Sequence, residues 1–306
     1  MKKQIAIASA ILAASSYSFA EIALTESLSV EGFVDMSYTD SDAGNAGFGI
    51  DQVEFDFLFS AGAVSAQVDV EYEGGTTNGT GVEQAFVTYD LGDKGAITAG
   101  RFASQLGFED FEPTGLYQYS NAVSTRFLPG YDQGVKYTTG NLGVALVDEG
   151  GDGQIGDDGA ASDYAIEVAY STELAEGLNG FVGARLVKED GEEDIRTINA
   201  YVTYETGAWL FAGEIVDVDA GTDGEATDYQ VMANYSYSDK ASVTARYAVA
   251  TDDDGNVATT EGTAITLAHN YALADNLALV AEVSQLNPEG AGENVLSSAV
   301  ELLFTF

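Results

Sequence analysis

The side chains of this chain that could do acid–base or metal chemistry are few and poorly grouped. His269 is the single histidine and there is no cysteine, so disulfides and thiolate metal sites are excluded. A histidine acts as a general base only when reacting groups are held beside it, and no serine or acid stands at a recognisable motif spacing from His269. We therefore predict no catalytic residue, no cofactor and no metal centre, and we do not expect an enzyme.

Two acidic runs, at 252–256 and 217–225, invite a calcium interpretation because Ca²⁺ prefers carboxylate oxygens. The first run reads Asp-Asp-Asp-Gly-Asn. Neither run keeps the spacing of the glycine and the terminal glutamate in an EF-hand loop. We expect solvated acidic loops that bind divalent ions loosely.

The other candidate for chemistry is the charged segment 101–130, because it lacks the alternation of apolar and polar residues found along almost all of the chain. On either side of it, apolar and polar residues alternate; within it they do not. A long irregular segment inside a compact β-protein is more often functional than accidental. The chemistry available to it is electrostatic, and it depends on the elements that hold the segment.

The composition indicates a folded, strongly acidic protein. The formal net charge is −39, with 45% apolar residues, 17 Tyr and 15 Phe. Disordered acidic chains are poor in aromatic residues, so this chain has the means to fold. A surface of this charge repels nucleic acid and anionic membranes alike, and no nucleic-acid partner is expected.

The N-terminus has the layout of a cleavable secretory signal. Lys2 and Lys3 precede an apolar run, and residues 18–20 form a small-residue ending, Ser-Phe-Ala. We predict a signal peptide over 1–20, cleaved near Ala20 and Glu21, and one mature domain over 21–306. No later stretch offers the ~20 apolar residues of a membrane-spanning helix.

Residue alternation predicts strands from residue 27 to the end of the chain. In the first strand Leu28, Val30 and Val34 share one face, while Glu31 and Asp35 lie on the other. Repeating this reading along the chain gives about sixteen strands, most of them near the ~9–11 residues that cross a bilayer. The predicted fold is all-β, a transmembrane antiparallel β-barrel, although fourteen or eighteen strands also fit.

Connection lengths and aromatic positions favour a membrane barrel over a soluble sandwich. Short turns alternate with longer acidic loops, with connections of moderate length expected at 172–179 and 272–276, and such alternation is typical of outer-membrane barrels. Aromatic residues on the apolar face recur beside the turns, where a membrane interface favours them. The predicted turn-side row is Phe59, Tyr89, Tyr137, Tyr170, Tyr204, Tyr237, Tyr271 and Phe306, and the opposite row is Tyr38, Tyr72, Tyr164, Tyr229 and Tyr247.

At this point the chain resembles the Gram-negative outer-membrane porins, including the OmpL-like β-barrel porins. The resemblance rests on the signal sequence, the sixteen alternating strands and the last strand, VLSSAVELLFTF, ending in Phe306. It also rests on Gly100-Arg101-Phe102 and LGFEDFEP after the fifth strand. The resemblance implies that this segment folds inward as a constriction loop, and that the terminal strand is read by the outer-membrane assembly machinery.

The resemblance also implies an acidic loop facing basic residues on the wall. The loop acids would be Glu109, Asp110 and Glu112, with Arg101 and Arg126 among the wall cations. Alternation separately places three further cations on the pore face, namely Lys136, Arg185 and Arg246. These cations could equally pair with the abundant interior acids. Arg101 continues the outer face of its strand, so a bulge near Gly100 or an early strand end would be needed to turn it inward.

We therefore predict an outer-membrane, water-filled channel for passive diffusion of ions and small hydrophilic solutes, preferring cations because fixed charge concentrates the opposite sign. Expected partners are outer-membrane lipid, the assembly machinery and, by resemblance, two further copies in a homotrimer. Tyr117, Tyr119 and Tyr131 could form a sugar-stacking track. One alternative is a non-channel surface barrel with an adhesive or envelope-structural role. Another is an outer-membrane hydrolase that uses His269.

Overall fold

The computed structural model describes residues 21–306 except 45, 74–80, 110, 149–162, 189–190, 192, 222–223, 252–260 and 290–292. The predicted signal peptide, 1–20, lies outside the described residues. The strands are β1 (Ile22–Ala23), β2 (Leu28–Ser41), β3 (Gly47–Ala61), β4 (Val64–Glu73), β5 (Gly81–Asp90), β6 (Ala96–Ala103), β7 (Tyr131–Thr139), β8 (Leu142–Asp148), β9 (Tyr164–Ala175), β10 (Leu178–Lys188), β11 (Ile195–Thr206), β12 (Trp209–Asp219), β13 (Glu225–Ser238), β14 (Ala241–Ala250), β15 (Gly262–Ala274), β16 (Leu277–Pro288) and β17 (Val295–Thr305).

The sheet is a closed barrel. From β2 to β17 each strand pairs antiparallel with its neighbours in the sequence, and β17 returns to pair with β2. The ring therefore has sixteen strands, and the two-residue β1 only adds to the edge of β2. The predicted sixteen-stranded antiparallel barrel is confirmed.

One end of the barrel carries tight turns. Glycines with positive φ stand in several of them, for example Gly62 at 66° and Gly140 at 54°, a conformation that residues with a Cβ rarely adopt. The connections expected to be moderate at 172–179 and 272–276 are shorter, because β9 runs to Ala175 and β15 runs to Ala274. Each of these hairpins turns within two residues.

The outer surface is a belt of exposed apolar side chains. Leu267 is 59% exposed, and Leu146, Val231, Val243 and Val300 are likewise exposed. Water-soluble monomers rarely expose so large a contiguous apolar surface. A belt of this kind is what a hydrocarbon environment requires of a barrel.

Aromatic side chains border this belt. Every member of the two rows predicted from the sequence is exposed except Phe306. The Phe306 ring packs 5.3 Å from the Phe55 ring and 5.9 Å from the Phe304 ring, measured between centroids. The last residue of the chain is thus held in the aromatic row across the β17–β2 seam.

The interior holds the longest connection of the barrel. Residues 104–130 join β6 to β7 and are called the inner loop; they include two 3₁₀ turns, Pro113–Gly115 and Val123–Thr125. Because β6 extends to Ala103, the irregular segment begins three residues later than the sequence pattern predicts. Within the described residues, no helix is long and apolar enough to cross a membrane.

Candidate functional site

The inner loop folds into the barrel, as predicted. Its backbone N–H groups donate to side chains on the opposite wall: Gly107 to Asn199 Oδ1 at 2.9 Å and Phe108 to Glu214 Oε1 at 2.8 Å. Nearer its start, Ser104 Oγ donates to Glu167 Oε2 at 2.7 Å. Backbone donors that would lack partners inside a barrel are thereby satisfied by the wall.

Apolar contacts hold the same loop. Leu106 and Leu128 are buried with Val216 and Val218 of β12, and Tyr117 is buried with another β12 residue, Leu210. These contacts were not foreseen, yet the sequence carries a signal for them. In β12 apolar residues occupy both faces, so one apolar row faces outward and the other needs an apolar partner inside.

Glu109 and Arg246 form the most buried ion pair of the site. Arg246 Nη1 donates to Glu109 Oε1 at 2.7 Å, and both side chains are at most 2% exposed. The same guanidinium donates to the backbone oxygens of Ser120 and Asn121, while Glu109 Oε2 accepts the Ala122 N–H at 2.7 Å. Charge-assisted bonds of this kind are about twice as strong as neutral ones, so this pair fastens the loop to β14.

Two further predicted cations are also in ion pairs. Arg126, on the loop, binds Asp228 with its Nε at 2.7 Å. Arg185 binds Asp132 at 2.7 Å and lies 3.6 Å from a Glu167 oxygen. Of the cations placed by alternation, both Arg185 and Arg246 therefore do face the interior, paired with acids.

Lys136 and Arg101 have mainly backbone and aromatic partners. Lys136 Nζ donates to the Ala103 carbonyl at 3.3 Å and lies 4.3 Å from the centre of the Phe102 ring. Arg101 Nε donates to the Glu83 carbonyl at 2.8 Å. The register of β6 is unbroken through Arg101 on both sides, so neither the suggested bulge nor an early strand end exists there. The Arg101 side chain instead extends toward the loop end of β6, where it donates to the backbone carbonyls of Glu83 and Tyr131.

The remaining loop acids are Asp110 and Glu112. Asp110 lies outside the described residues. Glu112 Oε1 accepts from the Tyr131 hydroxyl at 2.7 Å, and its Oε2 accepts from Gln52 Nε2 at 3.1 Å. Glu112 is thus held at the side of the loop that faces β3, away from the Glu109–Arg246 pair.

The wall on that side is acidic. Its buried carboxyl groups belong to strands β2, β3, β4 and β17, and none forms an ion pair with a Lys or Arg of the described chain. They are Asp35, Glu54, Asp56, Asp69 and Glu301. A buried charge normally needs a partner of opposite sign, so this wall differs from the paired one.

Two β-bulges add acids to this wall that residue alternation misplaces. The β2–β3 register skips Asp51, and the β4–β5 register skips Glu83. A bulged residue can be turned to the opposite face: Asp51 Oδ2 accepts from the Tyr119 hydroxyl of the inner loop at 3.3 Å, and a Glu83 carboxylate oxygen lies within 4.8 Å of those of Glu54 and Glu71. Alternation alone would have placed both on the lipid side.

The loop tyrosines lie among these groups. Burial raises the pKa of Tyr117 and of Tyr119 to about 12. Tyr119 therefore stays a neutral donor to Asp51 at physiological pH. The Tyr117 ring is buried in the apolar contact with β12, while Tyr131 is held by Glu112.

The residues considered for acid–base and calcium chemistry, namely His269 and the acidic runs 217–225 and 252–256, lie apart from these interior groups or outside the described residues. His269 Nε2 and the Tyr237 hydroxyl are 2.6 Å apart on the outer surface, with stacked rings. Asp217 and Glu225 lie within β12 and β13. The run at 252–256 lies outside the described residues.

A family model described as "Putative beta-barrel porin-2, OmpL-like" matches residues 28–306. The chain belongs to this family of outer-membrane β-barrel porins. A search with the sequence among curated proteins finds no match.

Solved porin structures share the fold. Salmonella typhi OmpF, in complex with daunomycin, has a TM-score of 0.69 at 12% identity, covering 94% of this chain and 100% of that one. The anion-selective porin of Comamonas acidovorans gives 0.67 at 16% identity, covering 92% and 99%. Vibrio cholerae OmpT in its trimer form gives 0.62 at 12%, covering 91% and 99%. At these identities the likeness concerns the fold, so charge preference must be argued from this chain's own residues.

Proposed function

We propose that the protein is a passive diffusion channel of the outer membrane for ions and small hydrophilic solutes, and that it prefers cations. Membership of the porin family supports the channel. The cation preference rests on one observation: the described arginines opposite the acidic wall are in ion pairs, whereas the buried wall acids Asp35, Glu54, Asp56 and Asp69 have no Lys or Arg of the described residues within ion-pair distance.

The charged groups that set selectivity are, in this proposal, the partly exposed acids beside the inner loop. They are Asp51, Glu71, Glu83 and Glu112. Fixed negative charge along a narrow aqueous path raises the local concentration of cations. In the same proposal the predicted constriction residues Glu109, Arg126, Arg185 and Arg246 chiefly fix the loop, while Arg101 and Lys136 border the path and Asp110 adds negative charge to the loop.

The remaining parts of the proposal follow from the family. We propose cleavage of residues 1–20 on export, assembly through the terminal strand ending at Phe306, and a homotrimer, a form also recorded for the Vibrio cholerae OmpT structure. The protein has no catalytic role in this proposal, and His269 is an interfacial residue bonded to Tyr237.

Reversal potentials in planar bilayers under a KCl gradient test the charge assignment. The triple variant Asp51→Asn/Glu71→Gln/Glu83→Gln should lose cation preference. One unit charge acts on an ion passing at ~4 Å with about 1 kcal/mol in water, which is roughly a five-fold effect, so we expect the loss of three charges to lower the permeability ratio by at least about five-fold. The matched control is Asp93→Asn/Asp239→Asn/Asp275→Asn, which removes three exposed acids in the tight turns and should leave the ratio unchanged.

Three outcomes would contradict the proposal. Absence of conductance would favour the non-channel barrel, in which the inner loop closes the interior. Anion selectivity of the wild type would reject the charge assignment. An unchanged permeability ratio in the triple variant would mean that these acids lie away from the narrowest part of the path.

A further inference from the structure

The acidic wall contains a group of three carboxylates packed closely together. Glu54 and Asp56 alternate along β3, and Asp69 lies directly opposite Asp56 on β4. One carboxylate oxygen from each lies within 4.8 Å of the others. The three side chains are almost completely buried, with exposed fractions of 3%, 8% and 0% respectively.

A second observation separates this group from an ordinary acidic cluster. The Oδ1 atoms of Asp56 and Asp69 are buried and have no hydrogen-bond partner. The other oxygen of Asp69, Oδ2, accepts from Gln67 Nε2 at 2.9 Å and from Gln84 Nε2 at 2.7 Å. Two amides therefore fix the Asp69 carboxylate while one of its oxygens is left without a donor, and a buried acceptor without a donor is costly.

The surroundings add negative charge to this group. Glu54 is shared with a second close set of carboxylates, which also contains Glu71 and the bulged Glu83. No Lys or Arg in the described ranges lies within ion-pair distance of these five acids. Such a concentration of carboxylates calls for a bound positive charge.

We propose that Glu54, Asp56 and Asp69 bind a Ca²⁺ ion inside the barrel. Ca²⁺ takes oxygen ligands at about 2.3–2.6 Å, and two oxygens at that distance from one ion are at most about 5 Å apart, which the 4.8 Å limit satisfies. An all-carboxylate set on two neighbouring strands suits the flexible coordination of Ca²⁺ better than the strict octahedron of Mg²⁺. Water in the channel supplies the remaining ligands. This inference goes beyond the proposed transport function, because it concerns resident binding rather than passage.

Equilibrium dialysis against radioactive Ca²⁺ tests the site on the refolded, chelator-treated barrel in detergent. About 0.1 M KCl suppresses loose attraction to exposed acids, since the Debye length is then about 10 Å. We expect the wild type to bind a saturable Ca²⁺ with a dissociation constant of about 10⁻⁵–10⁻³ M. Glu54→Gln/Asp69→Asn should weaken this binding at least ten-fold.

Two further variants make the result decisive. The control Asp239→Asn/Asp275→Asn removes the same number of charges from exposed turns and should bind Ca²⁺ like the wild type. Asp56→Asn is the second site variant in case the double variant does not refold, as judged by heat-modifiable electrophoretic mobility. The proposal is overturned if the wild type shows no saturable binding, in which case shared protons satisfy the carboxylates, or if folded site variants bind as the wild type does. Because dialysis involves no current, the result is independent of whether the barrel conducts.

Discussion

Buried acids form ion pairs with arginine in one half of the barrel interior, whereas the described buried acids of the other half form none. In the paired half, which comprises the inner loop and the lumen faces of β7–β14, Asp228, Asp132 and Glu109 each meet an arginine, while the buried Glu214 is held by two amides and the Phe108 N–H. In the acidic half, the lumen faces of β2–β5 and β17, Asp69 and Glu301 are equally buried but meet amides or other acids. The same residue type thus has a structural role on one side and leaves negative charge available on the other.

This difference indicates that one half of the sheet positions the inner loop and the other half interacts with ions. Ion pairs and apolar contacts in the paired half determine where the inner loop lies, because breaking any of them leaves a buried charge or a cavity. In the acidic half, repulsion between carboxylates costs stability, and a cation relieves it. Stability should therefore respond to substitutions in the paired half, and ion binding and selectivity to substitutions in the acidic half.

The largest effect should come from replacing Arg246 with methionine. This leaves Glu109 buried and uncompensated and removes the donors to Ser120 and Asn121. Removing one partner of a buried pair costs about 3–5 kcal/mol. We expect a loss of this size in the free energy of unfolding, measured by guanidinium titration of the barrel refolded in lipid vesicles.

Arg196→Met is the matched control for that substitution. Arg196 lies 3.5 Å from Asp219, but its side chain is 65% exposed. Exposed pairs contribute about 0–1 kcal/mol, so this variant should unfold almost as the wild type does. Equal losses in the two variants would show that the Glu109–Arg246 pair does not anchor the loop.

A single kind of substitution, Asp→Asn, compares the halves directly. Asp228 and Asp69 both have no exposed surface. Asp228→Asn weakens the bonds to Arg126 and should cost about 2–3 kcal/mol. Asp69→Asn, measured in chelator, should cost nothing or stabilise the barrel, because it removes a like charge and supplies an amide donor to the carboxylates around it.

The same guanidinium titration reads out both variants. Adding Ca²⁺ should raise the stability of the wild type and of Asp228→Asn, but not that of Asp69→Asn. If Asp69→Asn destabilises the protein as much as Asp228→Asn does, the acidic half is not electrostatically strained and the contrast between the halves is wrong.

Much of this architecture could be predicted from the sequence. Successive side chains of a strand point to opposite faces, so an outward-facing Val182 places Arg185, three residues later, on the inner face. Sixteen repeats of the alternating pattern predict the barrel. The position of the inner loop followed from the resemblance to porins. The rows of interfacial aromatic residues, such as Phe59 and Tyr89, could be predicted once the positions of the turns were known.

What could not be predicted depends on contacts between distant residues. The partner of Glu109 lies 137 residues away on β14, and nothing local distinguishes it from other arginines. Alternation assigned Asp51 and Glu83 to the wrong face of the sheet. A bulge adds one residue to one strand only, and the sequence of that strand does not show where the extra residue lies. Two of the four acids in the proposed selectivity, Asp51 and Glu83, were therefore ones that periodicity assigned to lipid.

A smaller loss of stability than that of Asp228→Asn should come from deleting Glu83. The deletion converts the bulge between Val82 and Gln84 into a regular ladder, so neighbouring side chains keep their faces, at a cost of about 1 kcal/mol for the hydrogen bond from Arg101 to the Glu83 carbonyl. Deleting Ala200 from β11, whose register is unbroken on both sides, should instead turn half of that strand inside out and prevent folding. Heat-modifiable mobility after refolding separates the two outcomes. A Glu83 deletion that fails to refold would mean that the bulge is needed for the fold itself, whereas successful refolding with lower cation selectivity would assign its purpose to the acid that it turns inward.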